Sequence, residues 1–189
     1  PSDYFTDYCR RLTDMPVLVT LNEQNGHYTP GYYLRASQLN GDFNESNNPE
    51  WKTIVIDEHS GDLAAPKGSI GFRWGEKGKW NLKAEDSTGN EVQAQLSLIA
   101  QHDETVDVAF DYFGGKDASD VMVRKVPVKK IQLADGSSCY VATVFDLSVA
   151  NYGLDRGLGG GGGASSYEDD VPYTPKWQEK HTGVPAAKV

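Results

Sequence analysis

Apolar residues recur at every second position through much of the middle of this chain, and short turns separate the runs. Val92, Ala94, Leu96 and Leu98 alternate with polar residues, and Val106, Val108 and Phe110 repeat the pattern. Because a strand turns successive side chains to opposite faces, each run predicts a strand with one dry face. Val17-Leu18-Val19 with Leu21, His27 to Leu34, Thr53 to Ile56, Val121 to Leu133 and Cys139-Tyr140-Val141 read as further strands. Reversals are marked by Asn25-Gly26, Ser60-Gly61, Thr88-Gly89-Asn90 and Asp135-Gly136. Pro127 interrupts its run and predicts an edge or a bulge, since proline cannot donate to a ladder. About eight strands result, and the shortness of the turns makes antiparallel pairing the expectation.

The most unusual stretch is Gly68 to Leu82, GSIGFRWGEKGKWNL. Ile70, Phe72 and Trp74 alternate with Gly71 and Arg73, and Trp80 and Leu82 resume the alternation beyond Gly75-Glu76-Lys77-Gly78-Lys79. This predicts a β-hairpin with a loop of about five residues. Arg73, Lys77, Lys79 and Lys83 around it would suit an anion such as phosphate or nitrate; solubilising charge at a hairpin tip is the competing reading.

Helices frame the strands. Ser2 caps the first, which carries Phe5, Cys9 and Leu12 on one face and ends near Asp14, ahead of Pro16. Thr143 with Asp146 three residues on resembles a capping box and opens a helix from Val144 to about Tyr152, closed by Gly153. Thr174-Pro175 opens the last clear helix and Gly183 closes it, with Val184 to Val189 as the start of another. Asn40 to Pro49 reads as a mobile polar loop. Gly159 to Gly163 read as flexible linker, native or spliced in. A phosphate cradle needs a strand before the glycines and a helix start after them, and here they follow a helix and precede a polar loop.

The expected architecture is one α+β domain, with a β-rich, largely antiparallel central module between short terminal helices. Residues 1–16 form the first helix, 17–142 the β-rich module, 143–154 a helix, 155–170 a glycine-rich loop, and 171–189 the last helix with a truncated continuation. A net charge of −9 argues against general affinity for nucleic acid. No apolar run approaches the ~18 residues of a membrane-spanning helix. Cys9 and Cys139 are too few for a disulfide framework and read as buried thiols. His27, His59, His102 and His181 are scattered singly, so a metal site would have to be assembled by the fold. Asp57-Glu58, Asp103-Glu104 and Glu168-Asp169-Asp170 could hold a cation or act as carboxylate pairs, but none has calcium-loop spacing, and hydration of loops is the plainer use. Neither a Gly-x-Ser-x-Gly elbow nor a Walker glycine motif occurs.

Several blocks carry a family resemblance. Asn48-Pro49-Glu50-Trp51-Lys52-Thr53, GSIGFRWGEKGKWNL, Gln132-Leu133-Ala134-Asp135-Gly136-Ser137, Ala150-Asn151-Tyr152-Gly153-Leu154 and Tyr173-Thr174-Pro175-Lys176-Trp177 occur in this order. Together they resemble the catalytic (alpha) subunit of the membrane-bound respiratory nitrate reductases, which are molybdenum enzymes far larger than this chain; the nitrite oxidoreductase alpha subunit is also similar. The resemblance implies an internal piece of that subunit, a β-rich excursion from a larger α/β molybdopterin-enzyme domain. It implies a parent that uses molybdenum bis-molybdopterin guanine dinucleotide and a 4Fe-4S cluster, whose ligand motifs match no residue here. No catalytic, cofactor-binding or metal residue is carried over. The implied partners are the remainder of the alpha subunit and the beta (iron–sulfur) and membrane gamma subunits, at the cytoplasmic face of the cell membrane. The piece would act as scaffold or cover, or as an interaction module docking a partner through Trp74 and Trp80. Alone it would be soluble, inactive and weakly self-associating.

Overall fold

The computed structural model describes residues 6–41, 49–66, 85–112, 114–117 and 120–189. The hairpin expected at 68–82, the Ser2 cap and most of the loop expected at 40–49 lie outside the described residues. In chain order the elements are α1 (Thr6–Leu12), β1 (Leu18–Gln24), β2 (His27–Tyr33), β3 (Val55–Ile56), β4 (Leu63–Ala64), β5 (Glu104–Asp111), β6 (Val121–Gln132), β7 (Ser138–Thr143), α2 (Val144–Asn151) and α3 (Pro175–Thr182). The fold is thus α+β and rich in strands.

Five strands close into a barrel in the order β1-β2-β5-β6-β7, and β3 pairs with β4 in a separate ribbon. Asn25 and Gly26 both take positive φ, 53° and 83°, which gives the β1–β2 turn the twist a two-residue hairpin needs. Around the barrel, β1–β2, β5–β6, β6–β7 and β7–β1 are antiparallel. The β2–β5 junction is a single parallel bridge, Tyr28 to Val108. A parallel junction requires a long connection, and residues 34–103 supply it.

Val19, Leu21, Val106, Val108, Phe110, Val126, Val128 and Ala142 fill the barrel, and Leu147 and Ala150 of α2 complete that cluster. A second core lies outside it, where Leu18 and Val141 meet Leu34, Ile54, Ile56 and Leu98. β1 and β7 are therefore apolar on both faces, which is why Val17-Leu18-Val19 is a continuous run and not an alternation. Cys139 packs beside the second core and is half-buried, as is Cys9, so neither thiol is fully enclosed as expected.

Two expectations are corrected. Residues 91–98 bury Val92, Ala94, Leu96 and Leu98, yet form no strand. They make an isolated bridge, Ala94 to Asp57, and the Gln95 amide donates to the Ile56 carbonyl. The alternation is satisfied by packing on the short β3 ribbon. Pro127 marks neither an edge nor a bulge; it stands at the handover where β6 ends its ladder with β5, at Val128, and begins its ladder with β7, at Lys129. The described part of α1 buries no residue, and Leu12 is exposed; the Arg10–Glu58 ion pair at 2.7 Å ties this helix down.

Asp146 is fully buried at the start of α2. Thr143 caps the helix by accepting from the Asp146 amide at 3.0 Å. The capping box is only half realised, because the Asp146 carboxylate turns elsewhere. Its oxygens accept from Ser97 Oγ (2.6 Å), the Leu98 amide (2.8 Å), Thr143 Oγ1 (3.0 Å) and Arg156 Nη1 (2.6 Å). One side chain thus ties α2 to the end of the 91–98 segment and to the loop beyond Gly153. At the other end of β7, the Tyr140 hydroxyl donates to Glu104, which holds the phenol proton and pushes its pKa up to about 12; partial desolvation and the Glu104 charge add to this.

Removing one member of a buried ion pair typically costs about 3–5 kcal/mol. Asp146→Ala should lose that much in urea unfolding and Asp146→Asn less, whereas Lys176→Ala, at the exposed pair with Glu179, should stay within about 0.5 kcal/mol. Tyr140 ionises above its ordinary value of 10.0, so its bond stabilises the fold below pH 10 and loses that contribution as pH rises toward 12. Tyr140→Phe should remove the phenolate absorbance step near pH 12 and flatten the alkaline limb of the stability profile.

Candidate functional site

β6 carries Met122, Arg124, Val126 and Val128 in one phase, so period-two alternation sets a guanidinium among buried apolar neighbours. α2 and the chain that follows it enclose this cation. Beyond α2, the Asp155 amide donates to the Ala164 carbonyl (3.1 Å) and the Ala164 amide to the Gly153 carbonyl (2.7 Å), closing residues 155–163 into a strap. Gly159 to Gly162 all take positive φ, between 69° and 86°. A Cβ at Gly160 would lie 2.6 Å from Lys125 Cγ, and one at Gly162 would lie 2.7 Å from Arg124 Nη1. Glycine is needed here both for backbone conformation and for close approach. The five glycines are therefore not a linker between parts: they form a loop pinned at both ends and laid against β6.

Beneath the strap is a pocket of about 290 Å³, lined by Arg124, Lys125, Ala150, Leu154, Asp155, Arg156 and the strap glycines. Lys125 pairs with Asp107 at 2.9 Å, and Arg156 with Asp146. The Asp155 carboxylate accepts from the Gly157 amide at 2.8 Å. Arg124 is different. Its Nη1 donates to the Val123 carbonyl (3.2 Å) and its Nη2 to Met122 Sδ (3.6 Å), and among the described residues no carboxylate pairs with it. Desolvation by burial lowers its pKa, with Tyr173 opposing. Arg124 Nε and Arg156 Nη2 are both buried without a hydrogen-bond acceptor. Such a site attracts anionic oxygen.

The residues singled out by sequence fall elsewhere. Arg73, Lys77, Lys79, Lys83, Trp74 and Trp80 lie outside the described residues. His27 opens β2, His59 is exposed 3.9 Å from Asp57, His102 Nδ1 lies 2.9 Å from the Ile99 carbonyl, and the His181 ring lies 4.3 Å from that of Trp177, tilted by 46°. The carboxylates organise turns and ladders. Asp57 accepts from Gln93 and Ser60; although burial acts against it, these bonds lower its pKa. Glu58 holds Arg10, and Asp103 accepts from the Lys130 amide. Asp169 accepts from the Ser165 and Ser166 amides, and Asp170 pairs with Lys180. Among the described residues, no three His, Cys, Asp or Glu side chains converge as a metal-holding group. The signal that could have revealed the pocket was Arg124 itself, a charge in the dry phase of a strand.

Compared with curated proteins, the chain is 51% identical over 198 residues to the respiratory nitrate reductase 1 alpha chain of Escherichia coli (strain K12), a match covering 100% of this chain and 16% of that protein. It is 50% identical to the respiratory nitrate reductase 2 alpha chain of the same organism, covering 98% and 15%. Against the nitrate reductase alpha chain of Bacillus subtilis (strain 168) it is 40% identical, covering 97% and 14%. The chain therefore spans only a small part of the length of the relatives it matches. No family model matches it.

A left-handed conformation costs a non-glycine residue about 1–2 kcal/mol. Gly161→Ala, whose Cβ meets nothing within 4 Å, should lose that amount in thermal or urea unfolding. Gly160→Ala should lose more, because Lys125 Cγ sits too near its own backbone to move aside, while the Arg124 terminus can swing away from an alanine at 162.

Proposed function

We propose, from a match that runs the whole length of the chain, that this polypeptide is one segment of the alpha chain of a respiratory nitrate reductase and serves there as scaffold or cover. The carrying observation is 51% identity over all of the chain to a protein so named. On this reading the parent takes electrons from quinol and reduces nitrate to nitrite at a molybdenum bis-molybdopterin guanine dinucleotide. It also carries a 4Fe-4S cluster, meets beta and gamma subunits, and works at the cytoplasmic face of the membrane. Among the described residues, no helix is long and apolar enough to cross a membrane. Attachment to the membrane would then come from the parent assembly.

Among the described residues, the thiols and carboxylates do not fit either redox group. Cys9 stands on α1 and Cys139 on β7, both free, and burial raises the Cys139 pKa, which disfavours the thiolate a metal requires. The carboxylates nearest in type to a metal ligand are committed to turn amides, Arg10, Arg156 or Tyr140. No step of nitrate reduction is assigned to this segment. What it contributes is shape: a closed barrel with a core of its own, presenting Tyr32, Trp51, Tyr152 and Tyr167 outward for contact with the rest of the alpha chain.

The DNA flanking the coding segment tests this directly. An upstream cysteine-rich cluster motif and a downstream continuation in the same reading frame are expected. A start codon immediately before Pro1 with a stop after Val189, in a genome lacking the large subunit, overturns the proposal. The purified chain should show no stoichiometric molybdenum and form no nitrite from nitrate with a chemical electron donor; either signal would contradict a purely covering role.

A further inference from the structure

Arg124 carries a charge that no described residue of the protein answers. Arg124 is half-buried with its Nε enclosed; holding such a cation without a counter-charge is costly, and the cost falls when an anion completes the site. Arg156 lines the same pocket, with its Nη1 held by Asp146 and its Nη2 buried without an acceptor. Lys125 and Arg156 are each paired with a carboxylate, so Arg124 is the one of the three pocket cations without such a partner among the described residues. Asp155 shares the pocket, but its Oδ1 is turned to the Gly157 amide.

We propose that the pocket beneath the strap binds a phosphate-type oxyanion, free or carried on a larger molecule, with Arg124 and Arg156 as its clamps. Two arguments favour phosphate over a carboxylate. Arg124 and Arg156 stand on different segments, β6 and the strap, and a tetrahedral group can meet two guanidinium groups so placed with separate oxygens, where a carboxylate offers two in one plane. The volume of about 290 Å³ also exceeds what a single carboxylate fills and admits a phosphate with part of what bears it. The residues that carry this site all belong to this chain, so its test does not depend on the activity proposed for the parent protein.

The test is a titration of the 189-residue chain with inorganic phosphate by isothermal calorimetry at constant ionic strength, repeated with a nucleoside diphosphate and with succinate. Saturable phosphate binding is expected, weakened at least tenfold in Arg124→Gln. That variant loses an unanswered charge, so in phosphate-free buffer it should melt no lower than the parent chain, and the order should reverse in phosphate. Tighter binding of the nucleoside diphosphate assigns the site to a phosphate carried on a larger molecule; equal or weaker binding assigns it to the free ion. Phenylglyoxal labelling mapped by mass spectrometry gives a second readout on the unsubstituted chain: phosphate should protect Arg124 and leave Arg11 reactive. The proposal fails if the chain binds no phosphate saturably, if Arg124→Gln binds it undiminished, if succinate matches phosphate, or if labelling of Arg124 is unaffected.

Discussion

The Asp146 carboxylate is the junction on which the rest of the molecule depends. A fully buried charge survives only when its partners are complete, and here donors arrive from Thr143, Ser97, Leu98 and Arg156. Thr143 and Arg156 flank α2, and Ser97 and Leu98 come from almost fifty residues earlier in the chain. Their convergence sets where α2 begins, docks the end of the 91–98 segment against the second core, and fixes the first residues of the strap. The strap in turn lies against β6, so the same hydrogen-bonded knot helps hold the cover over Arg124, whose own position is fixed by the β5–β6 ladder.

A second constraint comes from burial on both faces of two adjacent strands. β1 and β7 send Val19, Leu21 and Ala142 into the barrel and Leu18 and Val141 outward. The long connection between β2 and β5 has to cover that outward face. It does so with Leu34, Leu39, Ile54, Ile56 and Leu98, and in returning it brings β5 alongside β2 in the single parallel junction. The covering layer is thus built mostly from irregular chain and a two-residue ribbon. Its apolar residues alternate as strand residues do, but its backbone groups are satisfied one bridge at a time.

On the proposed reading, the segment contributes shape to a large redox enzyme while holding a polar feature of its own. The two roles are separable. The barrel, its two cores and the knot account for stability without any ligand. The glycine strap and the unanswered Arg124 go beyond what stability requires, since a leucine in the same strand phase would remove the desolvation cost.

Much of the architecture was legible in the amino-acid sequence. Alternation predicted β5, apolar runs between turn signals predicted β1, β2, β6 and β7, Asn25-Gly26 predicted a tight hairpin, and Thr143 and Thr174 predicted the starts of two helices, all from interactions within a few residues of each other. Local pattern also identified the buried residues at 92, 94, 96 and 98, but not that they would lack a ladder, because pairing depends on which neighbour arrives. Only the tertiary structure decided that the Asp146 carboxylate, besides its bond to Thr143, would gather Ser97, Leu98 and Arg156. In the same way, it turned five glycines from an apparent linker into a strap over Arg124. Both outcomes depend on segments that meet only once the barrel has closed, and a charge has no partner in sequence until the fold brings one to it.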